Sequence, residues 1–432
     1  MELQIEKLIY GGDGLARLPA DQRGRGKRVF VPFVLEGERV EAETVEEKPG
    51  FVRTRLETVA EPSPYRIDPG CPYFTRCGGC HYQHSTYEHQ LEIKASILKE
   101  NLRRIAKLEL SPELQIHPSP AWHYRNRTRM RVHTLPDFAL GYYKFGSHAL
   151  LPVEECPISS PLINRAIRAI WELGRAGKID HRVLEIECFA NADDSQLLIE
   201  IYLDPKRTKT DPMPPWAETL NRALPQVTGV ALFPAAPREM ASKSEPRPLA
   251  GIGKGELTYQ TAQAAYRVSA GSFFQTNRFL TDELVKIVTA NRSGRTALDL
   301  YAGVGLFSAV LSREFERVIA VESSQQSAAD LAYNAPMKVV RATVEQYLEN
   351  VAGRVRPDLV VLDPPRTGLG ERVARGVAEL AAPVLMYVSC DPATLARDLV
   401  PLLAAGYRVE QAHLVDLFPQ TFHLESVLQL VR

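Results

Sequence analysis

Two side chains near the end of this 432-residue chain are spaced for covalent chemistry. Cys390 closes the apolar run Leu385-Met386-Tyr387-Val388-Ser389-Cys390, and Asp391-Pro392-Ala393-Thr394-Leu395-Ala396 follows it. The first run reads as a strand and the second as a helix, with Asp391 at the cap and Pro392 at the first helical position. A thiol at such a corner lies beside the positive end of the helix dipole, which favours thiolate over thiol. Thirty-five residues later, Phe418-Pro419-Gln420-Thr421-Phe422-His423-Leu424-Glu425 leads a carboxylate into the final apolar strand. A nucleophile and a base, each at a strand edge, point to covalent catalysis.

A ligand site is readable upstream. Ala297-Leu298-Asp299-Leu300-Tyr301-Ala302-Gly303-Val304-Gly305-Leu306-Phe307 is a strand, a glycine turn and a helix start. Gly303 and Gly305 allow the backbone to approach a ligand at the carboxyl edge of a sheet. Glu322 ends the next strand, where a carboxylate accepts hydrogen bonds from ribose hydroxyls. The run lacks the third glycine of a dinucleotide fingerprint, which argues against a pyrophosphate. A nucleoside without phosphates, such as S-adenosylmethionine, suits it better; a structural tight turn is the plainer alternative. Asp363-Pro364-Pro365-Arg366 ends a further strand with two prolines that fix an extended backbone. Asp363 then faces the same edge as Gly303, to hold the cofactor or a substrate imide, or to cap the helix that follows. Gln275, in Ser272-Phe273-Phe274-Gln275, is a candidate polar contact.

Six cysteines are present: Cys71, Cys77, Cys80, Cys156, Cys188 and Cys390. Cys71, Cys77, Cys80 and Cys156 make a four-thiol set, and the Gly78-Gly79 pair lets the backbone wrap a bulky group. Disulfides are disfavoured in a cytosolic protein, so an iron–sulfur cluster leads. Zinc held by four thiolates also fits, and structural thiols are a third reading. Cys188 alternates with Leu184 and Ile186 on an apolar strand face and reads as a packed core thiol.

The elements that position these groups fall into three blocks. Residues 1–60 hold five short strands (Leu3 to Tyr10, Gly14 to Leu18, Arg28 to Phe33, Glu38 to Glu47, Phe51 to Val59), which fits a small oligonucleotide-binding-type barrel. Arg23, Arg25, Lys27 and Arg28 crowd the loop before the third strand. Residues 61–262 are α+β, with helices over Glu88 to Ala106 and from Pro161 through Trp171. Val183 to Cys188 and Gln196 to Leu203 alternate as strands of a half-exposed sheet. Nine prolines between 204 and 250 (Pro205, Pro212, Pro214, Pro215, Pro225, Pro234, Pro237, Pro246 and Pro248) predict loops there. Residues 263–432 alternate strand and helix: Ala297 to Tyr301, Val318 to Val321, Lys338 to Arg341, Asp358 to Leu362, Leu385 to Ser389, Arg408 to Leu417 and Ser426 to Val431 are strands. The last two are nearly adjacent, so a mostly parallel, Rossmann-like sheet ends in an antiparallel pair.

Hydrophobic content of 45%, charged content of 24% and a formal net charge of zero describe a soluble, multidomain α/β protein. No run approaches the roughly 18 apolar residues needed to span a bilayer, and no signal peptide opens the chain. A cytoplasmic monomer with no membrane partner is expected. Local charge is more telling than net charge. Arg125, Arg127, Arg129 and Arg131 recur at every second position, so on a strand they line one face with no carboxylate between them. Such a face suits RNA backbone; a solvated sheet face is the bland alternative.

Together these motifs resemble the RNA 5-methyluridine methyltransferases that carry a 4Fe-4S cluster and an N-terminal TRAM domain. The resemblance spans almost the whole chain. It rests on Cys71/Cys77/Cys80/Cys156, Ser272-Phe273-Phe274-Gln275, the run from Asp299 to Gly305, Asp363-Pro364-Pro365-Arg366, Ser389-Cys390-Asp391-Pro392 and His423-Leu424-Glu425. It implies a TRAM barrel, a cluster-bearing central domain and a class I methyltransferase domain. It further implies Cys390 as nucleophile and Glu425 as base, with Gln275, Tyr301, Glu322 and Asp363 lining the cofactor and uracil pocket. Large-subunit ribosomal RNA is the expected substrate because the TRAM-plus-cluster layout resembles enzymes acting there; transfer RNA is the alternative. Two positions depart from the family pattern. Asp391 stands where asparagine commonly follows the nucleophile, and Ala302 where a cysteine is common. A carboxylate beside Cys390 opposes thiolate formation. A methyltransferase of small molecules or proteins, and a non-catalytic RNA-binding protein, are the rival readings.

Overall fold

The computed structural model describes residues 1–19, 26–111, 113–204, 215–235, 247–351 and 353–432. Arg23 and Arg25, and Pro205, Pro212, Pro214, Pro237 and Pro246, lie outside them.

The N-terminal sheet has six strands: Glu2–Gln4, Lys7–Leu8, Asp13–Arg17, Arg28–Pro32, Arg39–Lys48 and Phe51–Glu61. Glu2–Gln4 pairs with Arg39–Glu41 and Lys7–Leu8 with Gly14–Leu15, so the two ends of the sheet are consecutive stretches of one bent strand. Leu3, Ile5, Val29, Val31, Val40 and Val52 fill its interior.

A seven-stranded central sheet runs in the order 150–152, 139–143, 127–133, 183–190, 197–203, 227–234, 250–253. One expectation is corrected here. Strands Val183–Ala190 and Leu197–Leu203 are not half-exposed: every residue of Leu197–Leu203 is buried. Helices Pro161–Arg175 and Pro215–Ala223 contribute Ile163, Ile167, Trp216 and Leu220 to the core on one side, while Tyr259 and Phe274 pack with Phe189 on the other. The proline-rich stretch also holds a helix and the strand Val227–Pro234. Pro215 opens the helix and Pro234 closes the strand, positions where a missing N–H costs little.

The C-terminal sheet has eight strands in the order 338–341, 315–322, 294–300, 359–362, 384–389, 425–431, 408–415, 114–117. The first five are parallel. Glu425–Val431 inserts antiparallel between Val384–Ser389 and Arg408–Val415. The eighth strand, Leu114–His117, arrives from far upstream and pairs parallel to Arg408–Val415. Helix Tyr87–Asn101 buries Ile93, Ile97 and Leu98 in the same core as Leu298, Leu362 and Leu385. Among the described residues no helix is long and apolar enough to cross a membrane.

Candidate active site

The antiparallel register that pairs Ser389 with Ser426 carries the chain on to Cys390 and back to Glu425, one rung beyond. Both line a cavity of about 940 Å³ at the carboxyl edge of the parallel strands, where open α/β sheets bind ligands. Asp391 caps helix Pro392–Ala404 as the sequence predicts: its Oδ1 accepts from the N–H groups of Ala393 at 3.0 Å and Thr394 at 2.9 Å.

The cavity also gathers Gln275, Tyr301, Gly303, Glu322 and Asp363. Tyr301 follows strand Gly294–Leu300 at φ 64°, a left-handed conformation that is strained for a non-glycine residue. Glu322 accepts from the Gly303 N–H at 2.8 Å and the Ser324 N–H at 2.6 Å, which locks the glycine turn onto the neighbouring strand. Gly305 does not line the cavity. Its φ is 93° and a Cβ there would lie 2.7 Å from Leu331, so its smallness serves packing. The turn before Gln275 is held from two sides: from the central sheet Arg127 donates to the Ser272 carbonyl and Glu200 accepts from the Gly271 N–H at 2.9 Å, and the Ser272 hydroxyl donates to Asp330 of helix Gln325–Asn334 at 2.8 Å. Of the two phenylalanines beside it, Phe274 is buried against Tyr259, with centroids 4.4 Å apart, whereas Phe273 is 64% exposed in the cavity.

Electrostatics at the pair corrects one expectation. Burial foremost, then Glu425, with Asp363 and Asp391 behind, pushes the Cys390 thiol up to about 12, against the pull of Arg366. Desolvation and three carboxyls outweigh the helix dipole, so Cys390 rests as a thiol. Burial, then Asp363, holds the Glu425 carboxyl well above the ordinary range, opposed by Arg366. Asp363 itself is raised to about 7 by burial and by Asp299. Burial and the Arg366 guanidinium push His423 down to about 3, so its ring is neutral. Cys390 therefore holds its proton at rest, and Glu425 gives its own up less readily than an ordinary carboxyl.

The arginine face is a second correction. Arg131 stands opposite Glu185 and Arg129 opposite Glu187 on the adjacent strand. Arg127 pairs with Glu187 and Glu200, Arg129 with Glu185 and Glu187, and Arg131 with Glu185. The carboxylates come from a strand more than fifty residues later in the chain, invisible to a local reading. Arg125 alone of the four pairs with no carboxylate among the described residues, and it lines both this cavity and the next.

That neighbouring cavity, of about 310 Å³, is lined by Cys71, Cys77, Cys80 and Cys156. Burial raises the Cys71 thiol and brings Cys77 up to about 11, and Cys156 adds repulsion to both. No three His, Cys, Asp or Glu side chains among the described residues stand close enough to hold one metal ion together. Cys188 is buried in the central core, as expected.

Ser324, Thr343 and Glu345 also line the cavity and are missed by the sequence reading; they follow the second and third parallel strands at their carboxyl ends, a positional signal present in the sequence.

Known proteins resemble the chain along its whole length. A protein of Aquifex aeolicus described as an uncharacterized RNA methyltransferase is 31% identical over 441 residues, covering 100% of this chain and 98% of its own. One of Thermotoga maritima with the same description is 31% identical over 458 residues, covering 100% and 99%. The crystal structure of Pyrococcus abyssi tRNA (uracil-54, C5)-methyltransferase with S-adenosyl-L-homocysteine matches the whole fold at a TM-score of 0.76 and 23% identity, covering 100% of both chains. The model of the tRNA (uracil-5-)-methyltransferase family matches residues 86–432. The chain belongs to that family of S-adenosylmethionine-dependent RNA methyltransferases.

Proposed function

We propose that the protein methylates carbon 5 of a uridine in RNA through a transient bond between Cys390 and carbon 6 of the ring. One observation carries the reading: Cys390 follows and Glu425 precedes the paired Ser389 and Ser426, and both line a cavity whose other walls hold Gln275, Glu322 and Asp363. S-adenosylmethionine supplies the methyl group. Tyr301, Gly303 and Glu322 suit its nucleoside part, and the Pyrococcus abyssi complex with S-adenosyl-L-homocysteine supports the same ligand class here.

Carbon 5 of uracil is too weak a nucleophile to take a methyl group unaided. Cys390, once deprotonated, attacks carbon 6 and leaves an enolate with charge at carbon 5. Asp363 and Glu425 ionise more readily beside a sulfonium. Carbon 5 then bonds to the methyl group as the sulfonium leaves as a neutral thioether; ionised Glu425 removes the carbon 5 proton, and that electron pair forms the carbon 5–carbon 6 double bond and expels Cys390 as thiolate. The target base must be unpaired or flipped to reach these groups, and Phe273 is placed to stack on it.

Cys71, Cys77, Cys80 and Cys156 are assigned to a 4Fe-4S cluster. Four thiols on one cavity, with no single-ion grouping, suit irons that each take one thiolate better than one zinc that takes all four. The cluster supplies rigidity, since methyl transfer moves no electron. The N-terminal barrel is read as a TRAM domain that holds RNA. Large-subunit ribosomal RNA is the favoured substrate, on the barrel-plus-cluster layout. Transfer RNA is the second reading, favoured by the family description and by the Pyrococcus abyssi enzyme. The free thiols suit a cytoplasmic enzyme, which is expected to act as a monomer.

Cys390→Ala tests the core of the proposal. Methyl transfer to total RNA and the covalent protein–RNA adduct should vanish together; residual turnover removes Cys390 from the role. Mapping 5-methyluridine in RNA from cells without the gene separates the ribosomal from the transfer RNA substrate.

A further inference from the structure

The turn from Ile9 to Gly12 leaves the barrel and lies against the loops that carry the reactive pair. Ile9 N–H donates to the Asp13 carbonyl at 3.0 Å and Gly12 N–H to the Ile9 carbonyl at 3.2 Å, so the turn is closed on itself. At its tip the Tyr10 hydroxyl donates to the Cys390 carbonyl at 3.1 Å. The Tyr10 ring stands edge-on to Phe422, with centroids 5.4 Å apart and planes at 89°. Phe422 in turn packs on His423 at 4.1 Å and on His81 at 4.6 Å. One side chain thus touches the nucleophile's corner and the loop that leads to Glu425.

Two details make this more than a surface contact. Strand Val384–Ser389 has ended and helix Pro392–Ala404 has not begun at Cys390, so its carbonyl lies outside both hydrogen-bond ladders and takes its donor from elsewhere. Gly12, at φ 95°, has no room for a side chain: a Cβ would lie 3.0 Å from the His81 Cβ. Glycine lets the turn sit this low, immediately beside the end of the cysteine loop.

Resting on the proposed function, we infer that Tyr10 is a positioning residue for methyl transfer. Its hydroxyl fixes the Cys390 corner while its ring braces the loop before Glu425. The barrel is then part of the catalytic scaffold as well as a hold on RNA.

Full-length Tyr10→Phe keeps the ring and removes the hydroxyl. Its kcat should fall about tenfold, with KM for RNA and for S-adenosylmethionine and the Tm little changed, because misplaced groups cost rate rather than binding. Alkylation of Cys390 by iodoacetamide without RNA, followed by mass spectrometry, should change rate about threefold or more. Gly12→Ala, which displaces the turn, should lower kcat at least as far. Ile5→Val, which loosens the barrel core away from the corner, should leave kcat unchanged. The inference is overturned if Tyr10→Phe keeps both kcat and alkylation rate, or if Ile5→Val lowers kcat equally. Should the wild-type protein methylate no RNA, the proposed function fails, and the alkylation comparison still decides whether Tyr10 positions Cys390.

Discussion

Ser389 and Ser426 stand opposite each other across an antiparallel pair, and the Ser426 hydroxyl donates to the Ser389 carbonyl at 3.3 Å. This rung is buried, and it determines which residues meet on the next one. A slip of one residue would turn Glu425 to the other face of the sheet. Strand register thus brings Glu425 to the cavity, while the corner after Ser389 places Cys390 there.

Glu425→Gln should stall release. A protein–RNA adduct should accumulate on denaturing gels while turnover falls by about 10²–10⁴-fold, the usual worth of a general base. The same variant should move the pH profile of Cys390 alkylation downward, because the second-largest cause of the raised thiol is gone. Burial remains, so the profile should stay above that of a free cysteine. An upward move would show that the Glu425 charge does not act on the thiol.

Asp299 predicts a pH dependence of stability. Burial raises this fully buried carboxyl to about 7, against an ordinary value of 3.8. Between those values the folded chain holds a proton that the unfolded chain has lost, so stability falls as pH rises from about 4 to about 7. The full effect is roughly 4 kcal/mol at most. Asp299→Asn cannot ionise, so its melting temperature relative to wild type should climb across that window in calorimetry. A flat difference would place the carboxyl near its ordinary value.

The two adjacent phenylalanines should separate binding from folding. Phe273→Ala should weaken RNA binding by about 1–3 kcal/mol, the worth of one base stack, with little change in melting temperature. Phe274→Ala should cost about 3–5 kcal/mol of stability, because its ring packs on Tyr259 and Tyr266 in the core. Filter binding and thermal unfolding read the two effects independently.

Metal content should follow four of the six cysteines. Serine at Cys71, Cys77, Cys80 or Cys156 should remove most iron, sulfide and violet absorbance from anaerobically purified protein. Cys188→Ala should keep all three while losing about 1–2 kcal/mol of stability from the core. Reconstitution should release protons and run faster at higher pH, since burial raises Cys71 and Cys77. A colourless protein loaded with zinc would overturn the cluster.

What was legible in the sequence was whatever local pattern decides. The parallel strands announce themselves as apolar runs ended by Gly303, Glu322, Asp363 and Cys390, and Asp391-Pro392 marks a helix start by its own capping chemistry. What was not legible depends on partners distant in sequence. The arginines of strand Arg127–His133 are neutralised by Glu185 and Glu187 only because those strands lie side by side. Leu114–His117 reads as an isolated short strand until Arg408–Val415 offers it an edge. The weak acidity of Cys390 follows first from its own burial and then from Glu425 beside it, and spacing does not report depth.

The strand Glu425–Val431 comes last in the sequence yet sits in the interior of its sheet. Without it Val384–Ser389 would present a bare edge, which invites pairing with other chains. The strand that shields this edge therefore also brings a carboxyl to the wall of the cavity that holds the thiol.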